Sequence, residues 1–328
     1  MRAGRKWLVT GAAGFIGSNL CAYLMKRGER VVGYDSFLTG KRSNIDRLET
    51  VGGSSFTFVE GDIRDQAGLK SALSGVGQVV HLAAQVSVQR SIDDPAETND
   101  INVTGFLSTL MTVAASGVGR FLYASSCAVY GDNCSLPLSE GATPNPLSPY
   151  AASKLINEHY AGSLKPRLSS MTTMGLRFFN IFGPFQDHNG GYAAVIPRWI
   201  SLMMEGNRPI VFGDGSATRD FCFVDNICEM IYSVVVHSGP QSHAVYNIGT
   251  GQAVTLRQLY DVIRDRLAVR GISNSFTTAE SRPWREGDIV HSYADIARAR
   301  MDLGYVPSVT LADGIDRILD QEYGLAPR

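Results

Sequence analysis

Tyr150 and Lys154 stand one helical turn apart in Tyr150-Ala151-Ala152-Ser153-Lys154. On a helix that spacing puts both side chains on one face. A free phenol has a pKa of about 10, too high for a base at neutral pH, and a nearby ammonium favours its ionised form. The pair therefore suits removal of a proton from a hydroxyl. Such pairs also arise by chance on solvated helices, so the surroundings decide. Upstream, the strand-like Arg120-Phe121-Leu122-Tyr123-Ala124 ends in Ser125-Ser126, whose hydroxyls could complete a catalytic triad.

A second signature is Gly11-Ala12-Ala13-Gly14-Phe15-Ile16-Gly17, between an apolar strand, Trp7–Thr10, and a helical pattern, Ile16–Met25. Gly11 allows a tight turn, Gly14 leaves room for a pyrophosphate, and Gly17 lets helix and strand close up. The exposed N–H groups of that turn and the helix dipole would meet the phosphate charge. The next strand, Arg30–Asp35, ends in an acid that can accept from ribose hydroxyls and repel a 2′-phosphate, which favours NAD over NADP. Lys41 and Arg42 follow it and would suit a phosphate. A third strand, Ser55–Glu60, leads to Gly61-Asp62-Ile63. There Asp62 could meet an adenine amino group, cap the helix starting at Gln66, or both. A fourth, Gln78–Leu82, runs into Ala83-Ala84, small residues that let backbone approach a ligand. His81 could act as a base, but a histidine inside an apolar strand is more often a packed core residue.

The elements needed to position these groups follow from the pattern. Strand and helix signals alternate through the first half, which predicts a Rossmann-type doubly wound α/β fold with a parallel sheet. A helix over Pro95–Ser116 precedes the fifth strand. A proline-rich loop over Asp132–Pro149 delivers the chain to Tyr150. A sixth strand, Thr173–Phe179, leads to Asn180. Beyond it the alternation breaks. Helices are expected over Val195–Met204, from Val224 to Val236, over Thr255–Leu267, near Ala294–Met301 and over Leu311–Tyr323. Short strands are expected at Pro209–Phe212, Ala217–Phe221 and Val245–Ile248. This divides the chain into an NAD-binding domain, 1–180 plus about 221–249, and a smaller α/β substrate domain at the sheet's carboxyl edge, 181–220 and 250–328.

Composition narrows the class. The chain has 328 residues, 44% of them hydrophobic, and a net charge of −1. That balance gives no electrostatic case for nucleic acid or an anionic membrane. No apolar run is long enough for a transmembrane helix. Met1–Lys6 leads straight into the first strand, leaving no room for a signal peptide. The five cysteines form no CxxC pair, which fits reduced thiols in a cytoplasmic protein, and the six histidines show no ligand spacing, so no metal is expected.

GAAGFIG, the strand-ending Asp35, GDI, HLAA, SS followed by YGD, SPYAASK and RFFNIFGP together resemble the extended short-chain dehydrogenase/reductase family. QDHNGGYAAVIPRW, TRDFCFVDN and REGDIVHSYAD are similar to its nucleotide-sugar 4-epimerases, most of all the bacterial subgroup acting on UDP-N-acetylhexosamines and their uronic acids. The resemblance implies a triad of Ser126, Tyr150 and Lys154. Tyr150 would take the proton of the sugar 4-hydroxyl while hydride leaves carbon 4 for NAD, and the 4-keto sugar would turn over before the hydride returns. It assigns the cofactor to Gly11, Gly14, Phe15, Ile16, Gly17, Asp35, Asp62, Ile63, Leu82, Ala83, Ala84, Asn102, Tyr150, Lys154 and Phe178. Arg219 and Arg285 would hold the substrate pyrophosphate, with Asn180 nearby, and Asp288 a uridine ribose hydroxyl. Ala194, Val195 and Val211 would line the uracil slot, and Ser87, Ser126 and Tyr150 would face the hexose. Ser292 would face the substituent on sugar carbon 2, unless it lies on a surface turn. A homodimer joined by a four-helix bundle and a role in surface polysaccharide precursors are implied as well. Cys127-Ala128 departs from relatives richer in serine. The same scaffold also carries UDP-glucose 4-epimerases, dehydratases, decarboxylases and NAD sensors. A dehydratase usually has an acidic pair where Cys127-Ala128 stands, and sensors commonly lose the tyrosine or lysine.

Overall fold

The computed structural model of the protein describes residues 4–133, 135–168, 170–187, 194–237, 242–273, 275–284 and 289–326. The chain begins with β1 (Lys6–Thr10), α1 (Phe15–Lys26), β2 (Arg30–Asp35), α2 (Arg42–Gly52), β3 (Phe56–Glu60), α3 (Gln66–Ala72) and β4 (Gln78–His81). It continues with α4 (Val88–Asp93), α5 (Pro95–Asn99), α6 (Gly105–Ala115), β5 (Arg120–Ser126), α7 (Pro149–Ser163) and β6 (Thr172–Phe178). Then come β7 (Asn180–Phe182), α8 (Val195–Met204), β8 (Ile210–Phe212), β9 (Thr218–Arg219), β10 (Phe221–Phe223), α9 (Val224–Val236) and β11 (Ala244–Ile248). The chain closes with β12 (Val254–Thr255), α10 (Leu256–Ala268), β13 (Glu280–Arg282), β14 (His291–Ser292), α11 (Ala297–Leu303) and α12 (Leu311–Tyr323).

Seven strands form one parallel sheet in the order β11-β6-β5-β4-β1-β2-β3. Parallel strands need helices on both faces, so their residues are apolar on both sides. β1 shows this: Trp7 and Val9 enter the core under α1 and α9, while Leu8 enters the opposite core with Leu69, Phe106, Leu110 and Val113. Burying each such side chain contributes about 1.5–3 kcal/mol. From β1 the chain runs outward to β2 and β3, then returns across β1 to β4. The order reverses between β1 and β4, and crevices at the carboxyl ends of such strands are where this architecture binds ligands.

Several elements depart from the sequence expectation. The helix expected over Pro95–Ser116 contains a π-helical turn at Asp100–Thr104, between α5 and α6. The strand expected over Ala217–Phe221 is two strands, because Asp220 turns inward between them. β9 joins β12 and β14, whereas β10 pairs with β7. The helix expected near Ala294–Met301 is α11, three residues later, because Ala294 is held on Leu138 and Asp220 instead. α2 and α4, not expected from the pattern, flank the site. Among the described residues, no helix is long and apolar enough to cross a membrane.

Candidate active site

A cavity of about 700 Å³ opens over the carboxyl ends of β1, β2 and β4. Gly11, Gly14, Phe15, Ile16 and Gly17 line it. Gly11 has φ +74°, and a β-carbon there would fall 2.8 Å from the Ala83 nitrogen, so the turn and the end of β4 close on each other only around glycine. A β-carbon on Gly17 would fall 2.0 Å from the Gly11 carbonyl oxygen, so α1 can start this near β1 only without one. Asp35 closes the second side. Its carboxylate accepts from the Ala13 nitrogen at 3.0 Å and the Phe37 nitrogen at 2.7 Å, one bond to each oxygen. Each oxygen keeps a lone pair for a ribose hydroxyl. Burial raises the Asp35 pKa, against these backbone N–H groups, which favour the charged form. The two cations that would have suited a 2′-phosphate are engaged elsewhere: Lys41 pairs with Asp187 at 2.8 Å, and Arg42 pairs with Glu60 at 2.8 Å and lies 4.0 Å over the Phe37 ring. A glycine-floored cavity with a carboxylate offering spare acceptors fits NAD.

Asp62, Ile63, Leu82, Ala83, Ala84 and Phe178 also line this cavity. Asp62 does not cap the following helix. Asp65 does, accepting from the Ala67 nitrogen at 3.0 Å. Asp62 is held by Arg64 through its Nε and Nη2 at 2.9 and 2.6 Å, which lowers its pKa. Asn102 sits in the π-helical turn and does not reach the cavity. Its side chain accepts from the Gln85 nitrogen at 2.8 Å and donates to the Gln85 carbonyl at 2.9 Å and to Ser153 Oγ at 3.1 Å. It thus joins the segment after β4 to the helix carrying Tyr150. Ser87 caps α4, accepting from the Arg90 nitrogen at 3.1 Å, and its neighbour Val86 lines the cavity instead.

Ser126, Tyr150 and Lys154 meet on the floor of the same cavity. Ser126 ends β5 and caps the 3₁₀ turn at Cys127–Tyr130, accepting from the Ala128 nitrogen at 3.1 Å. Ser148 caps α7 by accepting from the Ala151 nitrogen at 3.2 Å, and Pro149 takes the first helical position, so Tyr150 falls in the first turn. There the Tyr150 phenol faces the Ser126 hydroxyl, which favours its ionised form. Burial nevertheless pushes the phenol up to about 12. Lys154 Nζ lies 5.8 Å from the Tyr150 ring centre and donates to the Ala124 carbonyl at 3.1 Å. Burial lowers its pKa to about 8. His81 is structural: its Nδ1 bonds Thr10 Oγ1 at 2.9 Å, its ring packs on Phe106 and Phe121, and burial lowers its pKa to about 3.

A second cavity, about 560 Å³, lies beyond Asn180, which borders both. Asn180 Oδ1 is buried without a hydrogen-bond partner among the described residues, as a group awaiting a ligand would be. Ala194, Val195, Val211 and Arg219 line this cavity. Arg219 is steadied by donating from Nη1 to the Thr218 and Val290 carbonyls at 2.8 and 3.1 Å. Ser292 is not on a surface turn. It is 6% exposed, sits beside Arg219 in the parallel register of β14 and β9, and lies against the Cys127 thiol next to Ser126, but it lines neither cavity. Arg285 and Asp288 lie outside the described residues.

Sequence reasoning missed three groups here. Asp220 is fully buried and accepts from the Thr250 nitrogen and hydroxyl and from the Gly251 and Ala294 nitrogens, fastening three segments around Arg219. Trp284 lines the second cavity and packs over Gly213. Glu158 and Arg177 form a buried ion pair, with Glu158 bonded to Ser125 beside Ser126. The signal for that pair was available: Glu158 is one turn past Lys154, and an arginine inside an apolar strand needs a partner.

Residues 7–249 match the NAD dependent epimerase/dehydratase family. The UDP-glucose 4-epimerase of Mycolicibacterium smegmatis is 37% identical, the alignment covering 95% of this chain and 97% of that one. The structure of UDP-N-acetylglucosamine 4-epimerase from Methanobrevibacter ruminantium M1 in complex with UDP-N-acetylmuramic acid matches with a TM-score of 0.87 at 31% identity, over 97% of this chain and 99% of that one. The UDP-glucose 4-epimerase of Thermus thermophilus, in complex with NAD, matches with a TM-score of 0.83 at 30% identity, over 98% of this chain and 100% of the other. With a glycine turn, a strand-ending acid and a Ser–Tyr–Lys floor on a parallel sheet, the chain belongs to the NAD dependent epimerase/dehydratase family, as a nucleotide-sugar 4-epimerase, an isomerase that works with NAD.

Proposed function

We propose that the protein interconverts UDP-N-acetylglucosamine and UDP-N-acetylgalactosamine, or their uronic acids, through a 4-keto sugar, supplying precursors for surface polysaccharides. In this reading residues 1–180 and about 221–249 hold NAD, and residues 181–220 and 250–328 hold the UDP-sugar. NAD held by the glycine turn and Asp35 would supply hydride acceptor and donor chemistry at carbon 4 of the sugar. The remaining work falls to the chain. Tyr150 takes the 4-hydroxyl proton and later returns it. Ser126, facing Tyr150, donates to the sugar O4 and steadies it. Lys154 adds positive charge beneath the ring, and Arg219 meets the pyrophosphate. Asn180, between the two cavities, spends its free amide oxygen on the substrate. Reduced cytoplasm suits the buried, unpaired Cys21, Cys222 and Cys228.

The observation that carries the N-acetyl preference is Ser292, a small, buried side chain in register with Arg219 and against Cys127, the neighbour of Ser126; it lines neither cavity, and in this reading a tyrosine there would reach toward the sugar. A pocket rejects a larger group by overlap more strongly than a smaller one. UDP-glucose and UDP-galactose are the second reading, because UDP-glucose stands in the names of two of the relatives. Equilibrating the purified protein with each of these UDP-sugars separates the two. Wild type should turn over the N-acetylated pair faster, and Ser292→Tyr should cut kcat/KM for that pair alone. An equal loss on both pairs would remove Ser292 as the gate. We also propose a homodimer, supported by Ile156 and Tyr160, exposed on α7; a monomer by light scattering at micromolar concentration would refute it.

A further inference from the structure

Beneath the floor formed by Ser126, Tyr150 and Lys154 runs a continuous buried chain of polar contacts. Glu158, one turn past Lys154 on α7, accepts at Oε1 from Ser125 Oγ at 2.5 Å and from Arg177 Nε at 2.9 Å. Its Oε2 accepts from Arg177 Nη2 at 2.6 Å. Ser125 and Arg177 are opposite each other in the register of β5 and β6, so one carboxylate fastens α7 to both strands. Arg177 Nη1 donates to the Tyr130 hydroxyl at 2.8 Å, and that hydroxyl donates to Asn247 Oδ1 at 2.6 Å. Asn247 Nδ2 then donates to the carbonyls of Leu138 and Asp295 at 2.8 and 3.2 Å. Leu138 is itself bonded to Tyr293 and Asp295 on either side of Ala294, just past Ser292. The side chains of Glu158 and Arg177 are each only 6% exposed.

We infer that Glu158 and Arg177 are positioning residues, which hold α7 in the register that brings Tyr150 to Ser126 and, through Tyr130 and Asn247, tie that register to the segment following Ser292. The inference rests on the role assigned to Tyr150 above. The physical case is one of precision over strength. Two charges taken from water recover little net stability, and an apolar pair of similar volume often folds as well. The pair instead supplies direction: a bidentate fork fixes angle as well as distance. It does so on the two residues flanking the reaction floor, Ser125 beside Ser126 and Glu158 one turn from Lys154. A misplacement of about 1 Å at such a floor can cost about a hundredfold in rate.

The test uses the holoenzyme with a UDP-sugar that wild type turns over. Replacing both partners, Glu158→Met with Arg177→Met, removes the charges together and leaves neither stranded. The expected result is a melting temperature near wild type, a full complement of bound NAD, an unchanged KM and a kcat lower by about tenfold to a hundredfold. A folded double variant with wild-type kcat overturns the inference, as does one whose rate loss only follows its unfolded fraction. Should the double variant not fold, Glu158→Gln keeps the shape and the acceptor for Ser125 but weakens the fork, and the same fall in kcat at constant KM is expected, its absence being equally fatal. Tyr130→Phe keeps the ring and cuts the link to Asn247; kcat/KM for the UDP-sugar should drop about tenfold with NAD retained. An unchanged value refutes the link. Tyr150→Phe run alongside distinguishes the two levels. If that variant keeps its kcat, the assignment of Tyr150 fails. If it loses kcat while the Glu158 and Arg177 variants do not, only the positioning inference fails.

Discussion

The larger cavity takes its glycine turn and strand-end acids from the chain between Gly11 and Ile63, and closes on Ser126, Tyr150 and Lys154 from β5 and α7. The smaller cavity gathers Asn180, Ala194, Val211, Arg219, Leu256 and Trp284 from segments far apart in the chain, joined by strands of two or three residues. The first offers mostly backbone: N–H groups at a helix start, a glycine turn, and one carboxylate fixed by two backbone bonds. The second offers mostly side chains, and Asp220 with its four incoming bonds performs the fastening that a full sheet performs in the first. A backbone site tolerates changes in side chains but not in glycine. A side-chain site should behave in the opposite way, and three substitutions test the contrast.

The largest effect is expected inside the larger cavity, from its one ionisable side chain proposed as the base. Tyr150→Phe keeps the ring and loses the ionisable oxygen, so kcat should fall by about 10²–10⁴ with NAD still bound. A pH profile sharpens this. The phenol lies at about 12 and the Lys154 ammonium at about 8. In the role proposed for Tyr150 and Lys154, the active form has the first deprotonated and the second protonated. Its population grows with pH until about 8 and then levels, because further phenolate is offset by loss of the lysine proton. Wild-type kcat/KM should follow that curve and the Tyr150→Phe variant should not. Near-normal kcat in the variant would break the assignment.

Next in size is Gly17→Ala. A methyl group 2.0 Å from the Gly11 carbonyl must push α1 off β1. Overpacking of this kind costs about 1–3 kcal/mol. The melting temperature should fall, and NAD released by acid from the purified protein should drop with it. Full retention of NAD would mean that the turn is not the cofactor's seat. The smallest effect is expected from Arg219→Met, which removes a charge-assisted hydrogen bond worth about 1.5–3 kcal/mol. KM for the UDP-sugar should rise by about tenfold to a hundredfold while bound NAD stays constant. A loss of NAD in this variant would break the contrast between the cavities.

Much of the first cavity was legible in the sequence because its causes are local. Glycine spacing, a strand end and a one-turn separation of Tyr150 and Lys154 are properties of short stretches, and the structure brings those residues together. Asp35 over Lys41 and Arg42 was legible as a preference, though the reason both cations are engaged elsewhere came from Asp187 and Glu60 in other segments. Asn102 and Ser87 were not legible. Their side chains serve Gln85, Ser153 and the start of α4, partners that only the π-helical turn and a short helix bring near.

By itself, the sequence determined the alternation of strands and helices, hence a parallel doubly wound sheet, the glycine turn at its first strand and the pairing of Tyr150 with Lys154. Those follow from hydrophobic period, glycine conformation and helix pitch, which act over a few residues. The tertiary structure alone decided that Asp220 turns inward and splits one expected strand into two. It also decided that Ser292 is buried against Cys127 and that Lys154 bonds the Ala124 carbonyl. Only the fold joins Glu158, Arg177, Tyr130 and Asn247 into one chain. Each of these depends on groups brought from distant parts of the chain, where the cost of burying a polar side chain is met only by a partner that the fold itself delivers.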